Sequence, residues 1–248
     1  MESLETPVLS LDAERQKALR RQNAARDLEG RRGMTSADPA VREITKDVRA
    51  VVEGMKKDFP DVVGIGLFGS LVKGYAHPSS DVDAFLFMDI ERFSSAAPDE
   101  SGMRVVSPSI RGKFLMDEFM RRIQARGRMI DHVFLGRADH SFLESLLSRP
   151  SEHSAKYLAR FFMISSGTEI LSYREFILDR LVELKDKGDY LFLGMMDELS
   201  RLENFGFPEE VIRARRKLYP VTLEAARAYF LALKPASRPA ASGLKKAA

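Results

Sequence analysis

Two aspartates at positions 81 and 83 open an apolar run, VDAFLFM, in a chain of 248 residues. On an extended strand, side chains at i and i+2 point to one face. Val82 between them, and Phe85 and Phe87 after them, predict a strand that is otherwise buried. Aspartate is depleted in strands, and a buried carboxylate is expensive unless it is paired or ligated. Two same-face carboxylates a few ångströms apart repel. A divalent cation relieves that repulsion, and hard oxygen ligands suit Mg²⁺ or Mn²⁺. Asp131 has the same oddity: it interrupts MIDHVFL, a run otherwise fit for a central strand. If that strand pairs beside the first, three carboxylates converge. Such a set can hold two metal ions ~4 Å apart for in-line displacement at phosphorus.

Gly69-Ser70 supplies a complementary part. A small residue and a hydroxyl after a strand let backbone N–H groups approach phosphate oxygens. A short helix starting there adds positive potential at its N-terminus. Lys73, one turn on, is placed to reach a phosphate. Taken singly, a Gly-Ser is a turn, an Asp-x-Asp a solvated loop and a lone strand Asp an edge residue. Their combination in this order and spacing carries the reading of a metal-dependent phosphate site.

The stretch GIGLFG, Gly64 to Gly69, also fits the dinucleotide-binding pattern G-x-G-x-x-G. That motif needs a strand before it, a helix opened by it and a crossover of a dozen or more residues. Here the glycines lie inside the apolar run. The following SLVKGYAHPSSD holds Gly74 and Pro78 and is too short for a crossover helix. The acids begin the second strand instead of ending it. The dinucleotide reading is set aside.

The elements that must position these residues are legible around them. Val41, Ile44, Val48, Val51, Val52, Met55 and Phe59 recur at helical spacing, with Asp38-Pro39 as a start and Pro60 as a stop. VVGIGLFG reads as a buried strand. Residues 89–108 read as loop or insertion. IRGKFLMDEFMRRIQAR is an amphipathic helix with Phe114, Leu115, Phe119 and Ile123 on one side, and Gly127 sits where a C-cap belongs. RMIDHVFL, 128–135, is the third strand. Beyond about 141 the pattern is helical almost throughout, with a break at Ser165-Ser166-Gly167. The expected organisation is a charged arm over 1–35, a catalytic domain over 36–140, a helical domain over 141–233 and a disordered basic tail over 234–248.

Composition bounds the function. There is no Cys, so no disulfide framework and no thiolate chemistry. No apolar run approaches ~20 residues, so no membrane span is expected, and the start lacks a secretory pattern; the chain reads as cytoplasmic. The net charge of +3 comes from the ends: residues 234–248 carry four Lys/Arg and no acid. Residues 34–233 hold 28 basic against 30 acidic side chains, which argues against a nucleic-acid grip built on bulk charge.

Gly69-Ser70-Leu71-Val72-Lys73-Gly74, then Ser80-Asp81-Val82-Asp83, and Asp131 in an apolar context resemble the DNA polymerase beta-like nucleotidyltransferase superfamily, in particular its small prokaryotic members. The family pattern has a small residue where Val72 stands and an Arg where Lys73 stands, which keeps the charge but loses the bidentate fork. The resemblance covers about 62–135. It implies an α/β (α+β) fold: a mixed sheet flanked by helices, followed by a mainly helical C-terminal region. It implies transfer of a nucleoside monophosphate from an NTP, with ATP expected, to an acceptor hydroxyl on a small molecule, a partner protein or an RNA end, releasing pyrophosphate. Asp81, Asp83 and Asp131 are then catalytic metal ligands for Mg²⁺ or Mn²⁺. Gly69, Ser70, Lys73 and Ser80 are nucleotide-binding positions. The alternative is a non-catalytic nucleotide-binding or partner-binding module that keeps the fold.

Other residues carry weaker readings. His77 lies between the motif halves. His132 is read as pointing to the opposite face from Asp131, hence as packing. Lys113, Arg121 and Arg122 are read as a solvated helix face, and Arg126 and Arg128 as candidates for a groove. Arg174 is read as a surface ion pair or a cleft residue. Arg213, Arg215, Arg216 and Lys217 form a basic cluster read as a solvated face.

Overall fold

The computed structural model describes residues 39–73, 76–95, 107–166 and 169–231. The predicted arm, the basic tail, Asp38 and Gly74 lie outside the described residues. Helix α1 spans Pro39–Asp58 and strand β1 spans Val62–Phe68. The one-turn helix α2 follows at Gly69–Lys73, then β2 at Val82–Met88. Helix α3 covers Ile90–Ser95, α4 Pro108–Gln124, and β3 Ile130–Arg137. The rest is helical: α5 (His140–Ser148), α6 (Glu152–Ala159), α7 (Glu169–Glu183), α8 (Asp186–Asn204), α9 (Glu209–Arg216) and α10 (Leu223–Leu231). A 3₁₀ turn, Arg160–Phe162, and the short strand β4, Ile164–Ser166, separate α6 from α7.

The sheet order is β3-β2-β1-β4. β1 is antiparallel to both β2 and β4, whereas β2 and β3 run parallel. The mixed sheet with flanking helices and a helical C-terminal region agrees with the fold expected from the sequence. The antiparallel β1–β2 pair also disposes of the dinucleotide motif, which requires a parallel crossover. Two details differ from expectation. β3 is an edge strand and not a central one, and residues 90–95 of the supposed loop form α3.

Each sheet face has its own core. Ile65, Leu67, Val82, Ala84 and Leu86 pack against Ile44, Val48 and Val52 of α1 and Leu115, Phe119 and Ile123 of α4. The helical periodicities of the sequence place those residues inward. Phe114 is the exception: it lies outside the buried stripe, half-exposed, with its ring 5.5 Å edge-on to Phe59. On the opposite face, Val63, Phe85 and Phe87 pack against residues of α5–α8, with the Phe87 and Phe161 rings 4.5 Å apart.

The helices start where side chains can satisfy their free N–H groups. The Ser107 hydroxyl accepts from the Ile110 amide at 3.3 Å and Pro108 occupies the first turn of α4. Asp139 accepts from the Phe142 amide at 3.0 Å, and Ser151 from the Ser154 amide at 3.1 Å. Alternation along β2 puts Asp83, Phe85 and Phe87 on one face. The C-terminal helices therefore pack on the face that bears the strand's carboxylate.

Candidate active site

The cleft begins where β1 ends. Gly69 turns the chain with φ +70°, a conformation that penalises any side chain. A Cβ at that position would also fall 1.8 Å from Asp83 Oδ2. Two independent reasons thus demand glycine. Beside it, the Ser70 hydroxyl is buried and has no hydrogen-bond partner among the described residues. Leu71 and Val72 turn inward to the core, so the bulkier Val72 fits without touching the cleft. Lys73, largely buried, places Nζ 5.6 Å from the centre of the Phe205 ring.

The loop back to β2 is tied by a reciprocal pair. The Ser80 hydroxyl accepts from the His77 amide at 2.9 Å, and the Ser80 amide donates to the His77 carbonyl at 2.8 Å. The Ser80 side chain therefore holds the loop, even though it faces the cleft. This loop delivers Asp81 just ahead of β2, and Asp83 follows within the strand.

Pairing of β2 with β3 brings the third carboxylate. Val82 pairs with Ile130, but Ala84 pairs with Val133. Two residues of β3, Asp131 and His132, therefore stand opposite the single Asp83. This is a bulge, which breaks strand alternation and re-aims side chains. It overturns the reading of His132 as packing on the far face. Its Nδ1 lies 3.2 Å from Asp131 Oδ2 and 3.4 Å from Asp83 Oδ1, and its side chain is 56% exposed. Ligand atoms of Asp81, Asp131 and His132 all lie within 4.8 Å of one another. Burial pushes the Asp83 carboxyl above its ordinary range, and the neighbouring charges of Asp81 and, more weakly, Asp131 add to this; His132 works in the opposite direction. Such a cluster of crowded acids is suited to a cation.

These residues line a cleft of about 680 Å³. Gly69, Ser70, Lys73, Ser80, Asp81, Asp83 and Asp131 all face it, and so does His77. Its far wall is Arg201, Leu202 and Phe205, from the end of α8 and the residue after it. Sequence reading missed this wall. The Arg201 fork is held by Glu198, with both hydrogen bonds at 2.7 Å. Phe205 is 70% exposed, ahead of a turn at Gly206 with φ +84°.

Residues 48–146 match the family model described as the nucleotidyltransferase domain. Over this segment the chain is similar to nucleotidyltransferase domains. The segment contains the Gly-Ser turn, Asp81, Asp83 and the β3 bulge, and it ends within α5. The wall from α8 lies outside the matched segment. No curated protein and no solved structure matches the chain. Nucleotidyltransferase domains in general act on NTPs with divalent metals, and the residues gathered here fit that requirement: crowded carboxylates, a buried hydroxyl with no partner among the described residues and a glycine whose Cβ would crowd Asp83.

The remaining candidates are drawn into the framework. Arg174 is buried, donating to the Phe161 and Met163 carbonyls at 2.6 Å each, and is neither a surface pair nor a cleft residue. Arg128 binds Asp47 at 2.8 Å and Arg126 binds it at 3.3 Å, so they tie α1 to the start of β3. Arg121 and Arg122 clamp Glu118, whose carboxyl is held down at about 2 first by the Arg121 hydrogen bond. Within the basic cluster, Arg215 is buried and donates to Asn204, and Arg216 pairs with Asp197 at 3.0 Å.

Proposed function

We propose that the chain transfers a nucleoside monophosphate from an NTP, expected to be ATP, to an acceptor hydroxyl and releases pyrophosphate. The observation that carries this reading is the meeting of Asp81, Asp83 and Asp131 at one cleft with the Gly69-Ser70 turn, inside the matched domain. Asp81, Asp83 and Asp131 would hold Mg²⁺ or Mn²⁺. The cation would neutralise phosphate charge and make a nearby hydroxyl easier to deprotonate.

The chain's own residues perform the remaining work. The Gly69 backbone and the Ser70 hydroxyl are placed against the triphosphate, where the hydroxyl gains the partner it lacks. Lys73 adds positive charge on the same side. The acceptor oxygen attacks the α-phosphorus and forms the new ester bond. The bond from that phosphorus to the bridging oxygen breaks, and pyrophosphate leaves with the electron pair. Asp131, whose side chain is 66% exposed, is positioned to take the proton of the attacking hydroxyl. Asp83 is enclosed, which suits ligation better than proton exchange. Catalysis is then mostly positioning and charge neutralisation. The open side at Asp131 is where the acceptor enters.

The test is label transfer. The purified protein is incubated with each NTP labelled at the α-phosphate, Mg²⁺ or Mn²⁺, and a cell extract. Label is expected on one class of acceptor, and none with the Asp81→Asn/Asp83→Asn variant. Transfer that persists in the variant, or absence of both transfer and NTP binding in the native chain, overturns the reading.

A further inference from the structure

We propose that His132 is itself a metal ligand of this cleft, and that its nitrogen shifts the preferred cation from Mg²⁺ toward Mn²⁺, Co²⁺ or Zn²⁺. The proposal rests on the reading of Asp81, Asp83 and Asp131 as metal-holding residues.

The geometry points to ligation from three sides. The bulge puts the adjacent Asp131 and His132 on one face, which a regular strand would forbid. Nδ1 then stands 3.2 Å and 3.4 Å from oxygens of Asp131 and Asp83. Ligands at ~2.1 Å around an octahedral ion are separated by about 3 Å along each edge, so these spacings are close to those of shared ligands. The ring also lies nearly parallel to that of Phe134, 19° between planes with centroids 6.3 Å apart. The same cleft carries the unpartnered buried hydroxyl of Ser70, a separate sign that something polar belongs there.

Donor chemistry sets the metal class. Mg²⁺ takes oxygen ligands and parts with its waters reluctantly. Imidazole nitrogen suits later first-row ions, whose affinity for a given site generally rises from Mn²⁺ through Co²⁺ and beyond. A site of carboxylates alone discriminates little in their favour. The same site with one imidazole gains affinity for them and gains little for Mg²⁺.

The test uses the full chain loaded with Mn²⁺ and pulsed electron paramagnetic resonance, which detects a directly bound ¹⁴N. The expected result is nitrogen coupling in the native protein and in His77→Ala, the other imidazole facing the cleft, and its loss in His132→Ala. In titrations, His132→Ala is expected to weaken Mn²⁺ or Co²⁺ binding about tenfold or more while Mg²⁺ affinity changes less than about threefold. His132 is exposed, so an unchanged thermal melt is expected alongside. Mn²⁺ bound without nitrogen coupling, or equal losses for Mg²⁺ and Co²⁺, overturns this proposal and leaves the carboxylate site standing. Metal binding unaffected by Asp81→Asn and Asp131→Asn overturns both together.

Discussion

Ser70 separates binding from folding. Its hydroxyl is buried with no partner among the described residues, so it costs the ligand-free protein a desolvation penalty of about 1–3 kcal/mol. Ser70→Ala is expected to leave the ligand-free melting temperature unchanged or raised, while NTP affinity falls; calorimetry and binding on one preparation check both signs. Asp83 behaves in the same direction for a different reason. It is enclosed beside Asp81, and its carboxyl is pushed upward by burial first. Asp83→Asn is expected to stabilise the metal-free chain and to abolish tight divalent binding, the trade expected at a functional site. Asp139 gives the opposite case. It is fully buried, caps α5 and receives both nitrogens of the Arg137 fork at 2.9 Å. Burial alone would raise its pKa, but the Arg137 hydrogen bonds and the Phe142 amide outweigh it, and the net direction is down. Its contribution to stability is therefore present above the unfolded carboxylate value and is lost as pH falls through the lower folded one. Asp139→Ala is expected to cost about 2–4 kcal/mol near neutral pH, as a cap and a buried partner go together. The difference from the native chain should shrink at acid pH.

At the level of elements, the end of α8 matters most. Arg201 and Phe205 face the motif residues across the cleft, yet nothing within 69–83 or 199–207 links the two segments in sequence. Phe205→Ala is expected to raise the KM for NTP about tenfold, a loss typical of a stacking or wall aromatic. The melting temperature should hardly move, because the ring is exposed. The legible and illegible parts of the site divide along the same line. Gly69, Ser70, Asp81 and Asp83 were readable because they are local: a strand, a tight turn and a period of two fix their relation. Asp131 was readable as an acid in an apolar run. The neighbour His132 was misread because one extra residue in the ladder lets it share a face with Asp131, and a bulge there leaves no mark in residue types. The helix positions of Ile44, Val48, Leu115, Phe119 and Ile123 came directly from periodicity. Phe114 did not, because an aromatic beside a buried stripe can pack edge-on against a half-buried ring at the rim of the core, here Phe59. Arg174 and Arg215 looked like surface cations; buried carbonyls and Asn204 receive them, which only tertiary contacts decide.

Across the whole molecule, the sheet and the C-terminal helices share one core. Phe85 and Phe87 of β2 belong to the same cluster as Phe161, Tyr173, Ile177 and Leu199. Both unfolding probes and calorimetry are therefore expected to report a single transition for the described body, and Phe161→Ala to cost about 3–5 kcal/mol. Two separated transitions would mean that the helical part folds by itself. No described helix is long and apolar enough to cross a membrane. The bulge in β3 has one more consequence. β3 lies at the end of the sheet order, and a strand in that position offers its free backbone groups as a template for another copy. The irregular ladder at Asp131–His132, with a charge at Asp131 and another at Arg137, breaks that template into short pieces. The residue insertion that gathers Asp131 and His132 on one face thus also guards the molecule against edge-to-edge polymerisation, so that straightening the strand would endanger solubility.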